Sequence, residues 1–155
     1  MVTIARACPR DFLSVAALDR AAWGDNRNAT FIPDGEHAWR LWVEFALVFC
    51  ARNAEDEIVG AVLAFPCLDP NTYCLHKVFV EAAARGQGIG GRLFDALFEE
   101  LDSRGVDCFL TVDPENESAI RLYGNWGFTE RRFVKGFYRE EEDRLVLTRK
   151  VEARR

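Results

Sequence analysis

The chain has 155 residues, 49% of them hydrophobic and 29% charged, with a net charge of −5. This length favours a single domain over residues 1–155, with one buried core. The acidic balance argues against general nucleic-acid binding, which rests on neutralising phosphates.

The longest apolar runs, residues 46–50 and 58–66, fall far below the roughly 20 residues needed to cross a bilayer. No membrane partner is therefore expected. The opening MVTIARACPRDF lacks the apolar core and cleavage site of a signal peptide. The five cysteines, Cys8, Cys50, Cys67, Cys74 and Cys108, are odd in number and form no CxxC pair. That argues against a disulfide framework or a metal site, and for small buried thiols in a reducing cytoplasm.

Residues 2–7 predict a strand. Pro9 stands where a helix can begin, and Phe12, Val15, Ala16, Leu18 and Asp19 continue at helical spacing until Gly24. A polar loop over 25–35 contains Pro33 and Gly35. A second helix is predicted over 36–45, with Trp39, Trp42 and Val43 on one face. Strands follow at 47–51, 58–65 and 73–80, separated by polar turns, as an antiparallel meander.

The second half changes character. Ile89, Leu93, Phe94, Leu97, Phe98 and Leu101 form an apolar helical stripe, and Gly105 is placed to end it. Val106, Cys108, Leu110 and Val112 alternate as a strand. A helix is predicted over 116–126 with Gly127 after it, then strands at 128–133 and 145–151. Strand, glycine loop, helix, strand implies a parallel βαβ crossover. The fold class is α/β (α+β): a mixed, mainly antiparallel sheet of about seven strands with about four helices.

The segment ARGQGIGGRLF, residues 84–94, carries four glycines in six positions, Gly86, Gly88, Gly90 and Gly91. One glycine would serve a turn. Four let backbone N–H groups at a helix N-terminus approach an anion closely. Gly86, Gly88 and Gly91 literally satisfy GxGxxG, and Asp113 follows about 20 residues on, as in a dinucleotide site. Context counts against that assignment. Residues 81–85 separate the strand from the loop, and too little chain follows Asp113 for a doubly wound sheet.

Arg85, Gly88 and Gly90 give RxxGxG after a strand ending at Val80. With VFVEAAARGQGIGGRLFDAL (78–97) and VDPENESAIRLYGNWGF (112–128), the chain resembles the GNAT superfamily of acetyl-CoA-dependent N-acetyltransferases, and its element order resembles that family's fold. The resemblance implies a GNAT-like domain that moves an acetyl group from acetyl-CoA to a primary amine in a ternary complex. It implies a loop, Arg85, Gly86, Gln87, Gly88, Ile89, Gly90 and Gly91, around the CoA pyrophosphate. It further implies pantetheine pairing with the backbone of Val78, Phe79 and Val80, Asn116 on the pantetheine arm, and Tyr123 as general acid. A homodimer is common among such enzymes, and exposed aromatics would permit one here. The alternative is an acyl-CoA-binding sensor without transfer.

Asn116 and Tyr123 are seven apart, so a helix brings them to one face. Asn116 could equally be only an N-cap. A thiol leaves with pKa about 8.5 against about 10 for tyrosine, so protonation by Tyr123 is slightly uphill. The base is open between His76, whose unperturbed pKa of about 6.5 suits the task, and a water chain. Thr111 stands near the place where relatives acting on ribosomal protein N-termini carry a Glu. At pH 7.5 deprotonating a lysine costs roughly 4 kcal/mol and an α-amine under ~1 kcal/mol, which favours an α-amine acceptor.

The family's acceptor side lies between the first helices and the loop joining the last strands, here 23–42 and 135–143. Trp23, Phe31, Trp39, Trp42, Phe137 and Tyr138 are the candidate walls. Glu140, Glu141, Glu142 and Asp143 could attract a cationic amine or form a solvated turn. Arg131, Arg132 and Lys135 could meet the CoA 3′-phosphate or balance those acids.

Overall fold

The computed structural model describes residues 1–25, 29 and 33–151. Its strands are β1 (Thr3–Arg6), β2 (Leu47–Arg52), β3 (Ile58–Pro66), β4 (Thr72–Val80), β5 (Asp107–Val112), β6 (Phe128–Arg139) and β7 (Glu142–Arg149). Its helices are α1 (Phe12–Trp23), α2 (Glu36–Phe45), α3 (Ile89–Arg104) and α4 (Glu117–Asn125). The sheet is mixed, in the order β1-β2-β3-β4-β5-β7-β6. β4 and β5 pair in parallel at Thr72↔Asp107, Tyr73↔Cys108 and Cys74↔Phe109, joined through α3. The pairs β1–β2, β2–β3, β5–β7 and β6–β7 are antiparallel. This is the α+β architecture expected from the pattern of elements. The chain divides into two compact units, Met1–Phe65 with Lys77–Glu100, and Pro66–His76 with Leu101–Arg155.

In the first unit the apolar stripes of α1 and α2 build one core. Val15, Ala16, Trp39 and Val43 are buried there with Val48 and Leu63 of the sheet. β2 and β3 are buried along almost their whole length, as strands covered on both faces are. In α3, Ile89, Leu93, Phe94 and Leu97 are buried at helical spacing. Gly60 in β3 allows close approach: a Cβ there would lie 3.1 Å from the Phe79 carbonyl oxygen of β4 and 3.3 Å from a Leu93 methyl.

In the second unit β5 buries Cys108, Leu110 and Val112 on one face, which is the period of a half-covered strand. Gly105 ends α3 in the left-handed region, φ +68°. Arg149 at the end of β7 holds the Asp102 carboxylate through two bonds of 2.6 and 2.8 Å. β6 corrects the sequence expectation, because it runs six residues past Phe133 to Arg139. β7 likewise starts at Glu142, three residues before the expected Leu145. The expected loop over 135–143 is thus mostly a hairpin that turns at Glu140 and Glu141.

Candidate active site

The first unit presents a glycine-rich helix start. β4 ends at Val80, and a 3-10 turn over Ala82–Ala84 fills the spacer before the glycines. Gly86 and Gly88 take φ +79° and +73°, a region that L side chains rarely adopt. Residues 85–88 are exposed, whereas Ile89, the first residue of α3, is buried and anchors the loop. A Cβ at Gly86, Gly88 or Gly90 would meet nothing within 4 Å, so the space above the loop is open. Helix N–H groups, roughly half a positive charge and open room fit a bound pyrophosphate. Arg85 turns back on the strand: its Nε donates to the Val80 carbonyl at 3.1 Å, and Asp25 lies 3.6 Å from its guanidinium.

Further back on β4, Lys77 is the centre of a polar cluster. Its ammonium donates to both Asp19 oxygens, at 2.9 and 2.7 Å, and lies 3.0 Å from Asp34 Oδ2. It also sits 5.2 Å from the centre of the Trp23 ring. The indole of Trp39 donates to Asp19 Oδ2 at 2.9 Å. Trp39 is fully buried, with its ring edge-on to Trp42 and Phe79. The expectation that Trp39 walls an acceptor is therefore corrected: its bulk fills the core and its one donor is used there. Trp23 is half-buried. Phe31, another expected wall, lies outside the described residues. His76 is exposed and, by strand alternation, points to the opposite face of β4 from Lys77.

In the second unit α4 carries two of the expected residues. Asn116 is the N-cap; its side-chain oxygen accepts from the Ala119 N–H at 3.2 Å and from Ser118 Oγ at 3.1 Å. The helix thus begins at Glu117, one residue after the expected start, with the cap outside it. Tyr123 lies two turns on, half-buried, with its ring 5.9 Å from that of Phe128 and inclined at 68°. Burial pushes its phenol above the ordinary tyrosine value, so it holds its proton at neutral pH.

The β6–β7 hairpin holds Phe137 and Tyr138, 39% and 52% exposed, with ring centres 4.7 Å apart. The Tyr138 and Thr111 hydroxyls are hydrogen-bonded at 2.9 Å, and the Arg144 guanidinium lies 5.1 Å from the Tyr138 ring centre. The acidic run is not uniformly solvated. Glu142 is buried and paired with Arg144 and Arg139, and Asp143 accepts from the Gly136 N–H at 2.8 Å. Glu140 and Glu141 are exposed. The expectation of four acids facing an amine is thereby reduced to these two.

Three features were not singled out from sequence: the Asp19–Lys77–Asp34 cluster, the close approach at Gly60, and the Arg144–Tyr138–Thr111 chain. The first of them left a signal. Asp19 falls on the buried stripe of α1, and Lys77 interrupts an apolar strand, so each needs a partner.

A family model described as the acetyltransferase (GNAT) family matches residues 12–128. An uncharacterised N-acetyltransferase of Methanocaldococcus jannaschii is 39% identical over 115 residues, 64% of this chain and 51% of that protein. The [ribosomal protein bS18]-alanine N-acetyltransferase of Salmonella typhimurium is 30% identical over 99 residues, 61% of this chain and 66% of that protein. The chain thus spans between about half and two thirds of the length of these curated relatives. Among solved structures, the ribosomal-protein-S18-alanine N-acetyltransferase from Escherichia coli superposes with a TM-score of 0.79. That match has 23% identity and covers 100% of this chain and 97% of that one, a likeness of fold.

Proposed function

Because the chain belongs to the acetyltransferase (GNAT) family, we propose that it transfers an acetyl group from acetyl-CoA to the nitrogen of a primary amine. The observation that carries this is the open glycine loop, with Gly86 and Gly88 in the left-handed region directly before α3. Its N–H groups suit the CoA pyrophosphate, with the backbone of Val78, Phe79 and Val80 as the edge along which the pantetheine arm pairs. The oxygen of Asn116 caps α4, so its amide NH2 is the group assigned to that arm.

The chemistry needs three things from the chain. A backbone N–H of Phe79 or Val80 donates to the thioester oxygen as charge develops on it. The amine nitrogen bonds to the carbonyl carbon, and the carbon–sulfur bond breaks with its electron pair going to sulfur. Tyr123 gives its proton to that sulfur. Since burial raises the phenol pKa, this transfer is uphill by at least ~2 kcal/mol against a thiol of pKa about 8.5. Loss of the proton from the attacking amine supplies the drive. His76 or a water chain takes that proton.

The acceptor is proposed to be an α-amine, of peptide or amino-acid origin. This rests on its low deprotonation cost and on the similarity to an enzyme named for alanine N-acetylation. Trp23, Phe137 and Tyr138 are the proposed walls. The test is calorimetric titration with acetyl-CoA and with NAD, followed by thiol release on a panel of α-amines and lysine amines. Micromolar acetyl-CoA binding with thiol release supports transfer. Tight binding with no product from any amine indicates a sensor, and NAD binding alone overturns the assignment.

A further inference from the structure

α4 carries the proposed general acid, yet none of its nine residues is buried. A helix this short is marginal on its own and ordinarily relies on an apolar face packed into a core. The ends of α4 are fastened by hydrogen bonds. Asn116 caps the first turn. At the other end Trp126 is the C-cap, and its N–H donates to the Tyr123 carbonyl at 3.0 Å. The Trp126 carbonyl accepts from Arg149 Nε at 3.1 Å, while the two terminal nitrogens of the same guanidinium hold the Asp102 carboxylate. One planar fork thus joins two fixed points, the last turn of α3 and the end of α4.

Arg149 reaches Tyr123 by a second route. A Cβ at Gly127, whose φ is +90°, would lie 3.5 Å from Arg149 Cγ and Nε, so the arginine passes over the link between α4 and β6. Phe128, the next residue, stands opposite Arg149 in the β6–β7 register, and its ring contacts that of Tyr123. A lysine or an apolar residue at 149 would continue β7, but neither could grip a carbonyl and a carboxylate together. We infer that Arg149 is a positioning residue for Tyr123. It fixes the end of α4 and thereby the direction from which the phenol delivers its proton. This rests on the acetyltransferase function and the acid role of Tyr123 proposed above.

Arg149→Lys keeps the charge and breaks the fork. Turnover, followed by thiol release, should fall about tenfold, with the KM values for acetyl-CoA and for the amine within about twofold. The deciding measurement repeats the change in Tyr123→Phe, where no phenol is left to aim. There Arg149→Lys should alter turnover by less than about twofold. Wild-type turnover in Arg149→Lys overturns the inference. So does an equal fold-loss in both backgrounds, which marks a residue that supports the fold and not the acid. Should Arg149→Lys not fold, Asp102→Asn carries the same comparison, because Asp102 is 46% exposed and its change opens no core. A drop of about fivefold that vanishes in Tyr123→Phe is then expected, and no drop, or an equal one in both, overturns the inference. A Tyr123→Phe enzyme as fast as the wild type overturns the acid role, and this inference with it. A wild type that releases no thiol with any amine overturns the functional assignment itself.

Discussion

Lys77 Nζ lies 2.7 Å from Asp19 Oδ2, and the same oxygen accepts the Trp39 indole N–H at 2.9 Å. Both charged side chains are nearly inaccessible, 9% and 5% exposed, so each has given up most of its hydration for the other. Removing Lys77 strands the buried Asp19 carboxylate, and removing Asp19 leaves the buried ammonium to the more exposed Asp34. Asp19→Ala or Lys77→Met should each cost about 3–5 kcal/mol in urea unfolding. The double variant Asp19→Ala/Lys77→Met should cost less than the two singles added, by about 1–3 kcal/mol. Strict additivity would mean the pair contributes through packing alone.

The same pair marks where sequence reasoning reaches its limit. The helix and strand periods were legible because burial on one face leaves an apolar stripe, and the bounds of α2 came through unchanged as Glu36–Phe45. A charge inside such a stripe announces that a partner exists, but the partner of Lys77 lies 58 residues away on another element. Periodicity carries no information at that separation. β6 shows a second limit. It is an edge strand in which Phe128 alone is buried, so no buried face marks where it ends, and Val134–Arg139 passed for loop. Glu142 shows a third. It looks like one more acid in a solvated run, yet it shares a strand face with Arg144 two residues on, which lets both be buried. Aromatic walls were over-read for the opposite reason: a tryptophan in the core and one at a surface have the same letter, and Trp39 is the former.

Tyr123 separates chemistry from binding. Its phenol is raised by burial, and its ring contact with Phe128 does not involve the hydroxyl. Tyr123→Phe should therefore keep the fold and leave the acetyl-CoA dissociation constant within about twofold. Turnover, followed by thiol release, should fall roughly 10²-fold, the lower end for loss of a general acid, since water can substitute. Equal turnover would remove Tyr123 from the acid role. Retained turnover with weakened acetyl-CoA binding would make it a binding residue.

Gly88 tests the loop without touching the core. An alanine Cβ there meets nothing within 4 Å, so no clash arises inside the chain. The backbone, at φ +73°, must nevertheless pay about 1 kcal/mol or leave the left-handed region. Gly88→Ala should lower melting temperature only slightly. If the added methyl occupies the space proposed for the pyrophosphate, acetyl-CoA affinity should fall at least tenfold by calorimetry. Unchanged affinity would move the phosphate site off this loop.

Alkaline pH should weaken the protein through its thiols. Burial pushes Cys50, Cys74 and Cys108 each up to about 12 from an ordinary value near 9. The native state therefore keeps three protons that the unfolded chain releases above pH 9. A group whose folded pKa is raised contributes its stability in full below the unfolded pKa and loses it as pH climbs toward the folded one. The window of loss here is about pH 9 to 12. Near pH 10 each thiol accounts for roughly 1 kcal/mol. Urea midpoints should be lower at pH 10 than at pH 7, with the decline setting in near pH 9. Cys50→Ala and Cys108→Ala lower stability at pH 7 by leaving small cavities, but each should flatten the decline with pH. If both variants keep the wild-type decline, other groups govern alkaline unfolding, with Tyr123, also raised by burial, the first to test.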